Sequence, residues 1–265
     1  MKAEEHLQAG NLKEALAALT DEIRSNPSKA ELRIFMFQLL SVMGQWERAM
    51  TQLNVAAEMD AENLMMATVY RAALNCEALR ADVFQGKRTP MIFGEPLEWV
   101  GWLTQIPGLL AAGKTDAAAE LRDRAFEAAP AIAGKIDDAP FEWLADADTR
   151  LGPLLEAIVD GKYYWIPFER IQELRIEKPA NLRDVIWTPA AFTWSNAGQA
   201  AGLIPSRYIG SENASDNALR LGRKTDWQDA GSDFFLGLGQ RMLATDQGEF
   251  PLFEVREIQF TTGDT

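Results

Sequence analysis

One spacing constrains this chain more than its size does: like positions in its opening stretch lie 34 residues apart. Gly10, Ala15 and Pro27 recur as Gly44, Ala49 and Ala61, and Ala56 falls opposite Glu22. A third set, Gly113, Ala118, Ala125 and Pro130, begins 69 residues after Gly44, about two periods on. Small residues fit where two helices approach closely, glycine ends the turn between them, and proline stops the second helix. A fixed period of this length implies stacked helical hairpins, each burying against its neighbours a face it cannot bury alone.

Apolar periodicity supports the helices independently. Leu12, Ala15, Leu16, Leu19 and Ile23 form a 3.6-residue stripe with charges between, and Leu32, Phe35, Met36, Leu39 and Leu40 form the next. Residues Asn63–Arg80 predict a further helix through Met66, Val69, Tyr70, Leu74 and Leu79; Gly86–Pro96 then reads as a loop. The period is that of a tetratricopeptide array, here two repeats, a lone helix and one degenerate repeat. Such arrays present a concave face lined by the first helix of each pair. In the second repeat this places Glu31, Ile34, Gln38 and Ser41 in a candidate partner groove, unless the same face packs against the rest of the chain.

The texture changes after about Gly161. Tyr163–Phe168 is aromatic and β-like, Pro167 is placed to open a short helix Phe168–Leu174, and Leu182–Trp187 and Leu203–Ile209 read as strands, with Pro205 marking the second as an edge. In Phe234–Leu243 the alternation puts Phe234, Leu236, Leu238 and Met242 on one face and Gly237, Gly239 and Arg241 on the other. Asp246-Gln247-Gly248 predicts a turn, and Leu252–Phe260 a returning partner strand with a bulge near Arg256 and Glu257. The fold class expected is α+β: a tetratricopeptide-like helical domain over residues 1–160 and a mixed, sheet-rich domain over residues 161–265. The second domain is expected to need the first to cover its aromatic segment.

Charge and chemistry narrow the function. The net charge of −13 repels phosphates and argues against a nucleic-acid partner. Residues 1–160 hold 15 basic and 25 acidic side chains, a net −10 that serves either to steer a basic partner or simply to keep the chain soluble. Neither uncharged run suits a membrane: Trp99–Gly113 is too short, and Val185–Ser206 is broken by Pro189 and Pro205. No secretory signal opens the chain, and one cysteine, Cys76, suits a reducing compartment, so a cytoplasmic location is expected. His6 is the single histidine, no Gly-x-Ser-x-Gly elbow occurs, and Gly222-Arg-Lys-Thr225 lacks the spacing of a phosphate loop. Asp137, Asp138, Asp146 and Asp148 hold either a divalent ion or helix ends, and Trp187, Trp194, Trp227 and Tyr163–Trp165 line either a pocket or a core. No cofactor, metal or catalytic residue is assigned. An adaptor is expected, with a carboxylate-based enzyme as the alternative.

Two longer motifs carry a resemblance. Gly161-Lys-Tyr-Tyr-Trp-Ile-Pro-Phe-Glu-Arg-Ile171 and Pro179-Ala-Asn-Leu-Arg-Asp-Val-Ile-Trp-Thr-Pro-Ala190, with Leu236-Gly-Leu-Gly-Gln-Arg-Met-Leu243, are similar to the ImpE/TagJ (SciE-type) family of bacterial type VI secretion accessory proteins. The resemblance implies a cytoplasmic, non-enzymatic adaptor with two partners, the small contractile-sheath subunit and the ClpV-type AAA+ ATPase. An assembly factor for the sheath subunit is the related alternative. No catalytic residue is carried over from the family.

Overall fold

In the computed structural model, residues 1–95 and 97–261 are described. The opening repeat is the helix pair α1 (Lys2–Gln8) and α2 (Leu12–Ser25), followed by α3 (Ala30–Val42) and α4 (Trp46–Met59). A long helix α5 (Leu64–Phe84) comes next, then strand β1 (Met91–Ile92), short helices α6 (Glu98–Leu103) and α7 (Ile106–Ala111), and α8 (Thr115–Ala128). The period marks real turns. Gly10, Gly44 and Gly113 adopt φ of +80°, +69° and +70°, a left-handed conformation that a side chain resists. Ala15, Ala49 and Ala118, one turn into each following helix, are fully buried where the paired helices meet. A fourth such glycine, Gly86 at φ +69°, ends α5 against the backbone of Gly108.

Strands begin before the expected boundary. β2 (Gly134–Ile136), β3 (Ala139–Phe141), β4 (Leu144–Asp146) and β5 (Leu154–Val159) precede residue 161, and the division at 160/161 falls in the turn between β5 and β6 (Lys162–Pro167). Then come β7 (Ile171–Ile176), β8 (Trp187–Trp194) and β9 (Gln199–Pro205), a short helix α9 (Asn217–Arg220), β10 (Thr225–Asp229), β11 (Phe235–Gly239), β12 (Met242–Thr245), β13 (Gly248–Pro251) and β14 (Glu257–Phe260). The main sheet runs β1-β6-β5-β9-β8-β7-β14-β2-β3; two small sheets, β13-β12-β4 and β10-β11, stand beside it.

Several strand expectations are corrected. Phe168–Arg170 is a single 3-10 turn, and Ile171 onward is strand instead of helix. Leu182–Val185 is a 3-10 turn, held by an Asn181/Asp184 capping box, and the strand starts at Trp187. β9 lies inside the sheet; Pro205 is its last residue, opposite Trp187, where the ladder ends and no donor is needed. Phe234–Leu243 is two strands broken at Gln240 and Arg241, and β12 is answered by Gly248–Pro251, not by Leu252–Phe260. Only Glu257–Phe260 of that stretch is strand, and it joins β7 and β2 in the main sheet. The bulge in this region lies instead in β7, between Ile171 and Glu173.

The sheet's two faces fill two cores. One holds Leu174, Ile176, Phe192, Trp194 and Ile204. The other buries Tyr163, Trp165, Trp187, Leu154 and Ile158 against the helices, so the repeats cover Tyr163 and Trp165 of the aromatic segment, while Ile166 and Phe168 face the first core. Of the aromatic candidates, Tyr163, Trp165 and Trp187 lie in one core and Trp194 in the other with Tyr164 packed against it, whereas half-buried Trp227 stands apart beside Tyr208. Residues 207–223 tie the parts further. Arg223 donates to the carbonyls of Leu7 and Gln8 at 3.0 and 2.9 Å, Asn217 to Gly10 at 2.8 Å, and Arg207 to Val42 at 3.1 Å. The open carbonyl ends of α1 and α3 are thus satisfied by side chains from the far end of the chain.

Candidate partner surface

The four groove residues expected on α3 do not form one open surface. Glu31 is exposed and Ile34 half-buried at the start of the helix. Gln38 is 7% exposed, and its Oε1 accepts the Arg183 backbone N–H at 3.3 Å; Ser41 is fully buried and donates to the Phe37 carbonyl at 2.8 Å. The protein's own 182–185 turn packs on this face.

An open surface lies two helices later, on α5. The inward side of α5 buries Ala67, Tyr70, Ala73, Leu74, Glu77, Arg80 and Val83. Its first half also carries Leu64, Met65 and Val69 outward, at 51%, 82% and 45% exposure. Val69, which the sequence stripe placed inside, belongs to this outer set. Beneath them β5 turns back at Asp160-Gly161 after pairing with only Gly202 and Leu203 of β9, so α5 overhangs bare sheet. The result is a slot of about 920 Å³: Met65, Met66 and Val69 form its wall and Pro189, Ala201 and Leu203 its floor. On the other side of the same strand Gly202 lets the sheet pack tightly, since a Cβ there would lie 2.8 Å from the Ile158 carbonyl oxygen and 3.0 Å from the Phe192 ring. Glu62 and Asp160 stand on the rim, and neither pairs with a cation among the described residues. Arg183, also on the slot, is stacked 4.8 Å from the Tyr70 ring centroid and lies 3.9 Å from Asp184.

Behind the slot, a buried charge network fixes α5 to the sheet. Arg80 of α5 meets both carboxylate oxygens of Glu156 on β5, at 2.6 and 3.0 Å, and donates to the Arg207 carbonyl at 2.8 Å. Arg241 pairs with Glu156 and with Asp146, and Tyr208 donates to Asp146 at 3.0 Å. Trp187 Nε1 donates to Glu77 at 2.8 Å, and Trp165 donates to Tyr163, whose hydroxyl donates to Glu156. Burial opposes the Glu156 charge, but Arg80 and Arg241 outweigh it and hold the carboxyl down at about 2. For Asp146 burial wins: with Asp148 nearby, and despite Arg241, its carboxyl is pushed up to about 6. Burial also raises Glu77 against the pull of Arg80 and the Trp187 hydrogen bond. Every member is matched inside the protein, so the arrangement is structural. It offers no open coordination or proton-transfer position.

The other candidate chemistry disperses in the same way. Asp137 accepts the backbone N–H groups of Arg256 and Glu257 at 3.0 and 2.8 Å, while Asp146 and Asp148 face Arg241 and Arg150 in the interior. Among the described residues no group of three or more His, Cys, Asp or Glu is arranged to hold a metal ion. Burial pushes the Cys76 thiol up to about 11, which suppresses the reactive thiolate. No helix among the described residues is long and apolar enough to cross a membrane.

The architecture is thus one of helical repeats docked on a sheet, a class here marked by an open apolar slot at their junction. Known proteins narrow that class. A tetratricopeptide repeat model matches residues 6–72 and an ImpE protein model residues 138–259. The type VI secretion system accessory component TagJ of Pseudomonas aeruginosa strain PAO1 is 52% identical over 264 residues, covering 100% of this chain and 92% of that protein. The crystal structure of protein VPA1032 from Vibrio parahaemolyticus superposes with a TM-score of 0.89 at 26% identity, covering 99% of this chain and 98% of that one. The chain belongs to the ImpE/TagJ family.

Proposed function

We propose that this protein is a non-enzymatic accessory adaptor of type VI secretion that bridges the small contractile-sheath subunit and the ClpV-type AAA+ ATPase. The observation that carries the reading is the full-length identity of 52% to the TagJ accessory component. The slot on α5 is consistent with it, because a bridging protein needs an apolar surface its own fold does not cover. Tethering then acts by concentration: holding both partners converts the second encounter into an intramolecular one. The test is a three-component binding assay with the purified protein, sheath subunit and ATPase. The adaptor is expected to bring sheath subunit down with tagged ATPase above the level reached without it. Equal capture with and without the adaptor would defeat the bridging reading.

A further inference from the structure

We infer that the slot between the first half of α5 and strands β8–β9 is the docking site for an amphipathic partner helix with an apolar stripe and lysine- or arginine-bearing flanks. Shape is the first argument. One wall is itself a helix and the floor is flat sheet, so a second helix laid beside α5 would continue the existing layer. A helix is 10–12 Å across and rises 5.4 Å per turn, so about 920 Å³ holds roughly two turns. The same sheet face runs on past Ala191, Thr193 and Gln199, room for further turns. A floor of Ala201 and Pro189 allows close approach, while Met65 and Met66 adapt to whatever apolar side chains arrive.

Charge is the second argument. Glu62 and Asp160 are exposed on the rim without cation partners among the described residues, whereas Arg183 is stacked on Tyr70 with the Asp184 carboxylate 3.9 Å away. The unmet charge at the slot is therefore negative, as is the whole molecule at −13. A second copy of this chain would bring the same acidic rim and the same net charge, which disfavours self-association here. A partner strand is disfavoured too, since the free end of β9 at the slot, Gln199–Ala201, is too short to hold a ladder.

Naming the helix as part of the sheath subunit rests on the proposed function; the chemistry of the slot does not. The experiment therefore uses two probes: the purified small sheath subunit, and a fluorescent peptide of about four helical turns with a Leu/Ala stripe and Lys flanks. Wild type is compared with Val69→Glu, Ala201→Trp and the double variant Glu62→Lys/Asp160→Lys, each checked by its melting curve. Val69→Glu and Ala201→Trp are expected to weaken both probes about tenfold or more, roughly 1.4 kcal/mol. The rim variant should weaken them less and flatten the salt dependence. Melting should not change, because all four positions lie on the surface. Sheath binding lost at the slot confirms the site. Peptide binding without sheath binding keeps the slot and defeats the sheath reading. Unaltered affinity in the folded variants, no binding of either probe to wild type, or self-association abolished by Val69→Glu would each overturn the inference.

Discussion

Helices α3 and α5 hold the same place in successive repeats, yet one has its inner face sealed and the other is half open. On α3, the 182–185 turn reaches Gln38, while residues 207–223 cap the carbonyl at Val42. On α5, the sheet covers the second half, from Ala72 beside Gly161 to Phe84 against Trp165, and stops where β5 turns back. Accessibility in this array is therefore set by where the sheet region ends, and not by repeat position. A concave-face assumption taken from repeats alone overlooks the 182–185 turn that covers Gln38 and Ser41.

The largest test of that contrast is to break the clamp on α5. Arg80→Met leaves Glu156 buried with half its partners, and removing one member of a buried pair costs about 3–5 kcal/mol. Denaturant unfolding should show that loss in one cooperative transition, with helical and aromatic signals falling together. Two separated transitions in the wild type would mean that the repeats and sheet are not one unit.

Acid should act on the same clamp, with a definite sign. Glu156 titrates at about 2 when folded, against an ordinary 4.5, so its contribution is present above 4.5 and is lost as pH falls from 4.5 toward 2. The shift corresponds to about 3 kcal/mol. Asp146, raised to about 6 from 3.8, takes up its proton first in the folded state and so favours folding as pH falls from 6 toward 4. Stability should therefore hold or rise slightly from pH 7 to 5 and drop below 4.5. In Glu156→Gln the stability drop below 4.5 should be shallower; an unchanged acid limb would relocate its origin.

Smaller effects separate the two helices directly. Ser41→Phe forces volume into the sealed face of α3 and should cost about 1–3 kcal/mol, whereas Val69→Ser on the open half of α5 should stay within about 0.5 kcal/mol. The glycine turns repeat the contrast. Gly113→Ala meets open space and bears only the left-handed backbone penalty, about 1–2 kcal/mol. Gly44→Ala must also displace Glu212, whose Cγ would lie 2.6 Å from the new Cβ, and should be the more destabilising of the pair in thermal melts.

Much of the helical part was legible because its signals are local. Gly10, Gly44, Gly113 and their buried alanines carry the period, but Gly86 escaped it because α5, at 21 residues, overruns the repeat. The sheet was less legible, because hydropathy misjudged which face is inside. Gly237 and Gly239 are buried, the former tight under the Tyr208 ring, and Arg241 is fully buried, its charge matched by Asp146 and Glu156 from distant strands. No alternation rule can foresee a buried guanidinium whose partners lie far away in sequence. The slot did leave a trace. Leu64, Met65 and Val69 give α5 a second apolar stretch beside its core stripe, wider than one buried face needs, although Thr68, Arg71, Asn75 and Asp82 keep a polar face.

The bonds from Arg207, Asn217 and Arg223 to the ends of α1 and α3 have a consequence for how the protein is born. Synthesis proceeds from the N-terminus at about 5–20 residues per second. The residues that close the carbonyl ends of the first two hairpins are therefore made roughly 7–30 seconds after those hairpins are complete. During that interval Trp46 and Tyr70 lack the Trp187 ring they later pack against. Nascent chains stalled before residue 187 should expose these aromatic residues to chaperones and proteases, and protection should arrive abruptly once residue 223 has cleared the exit tunnel.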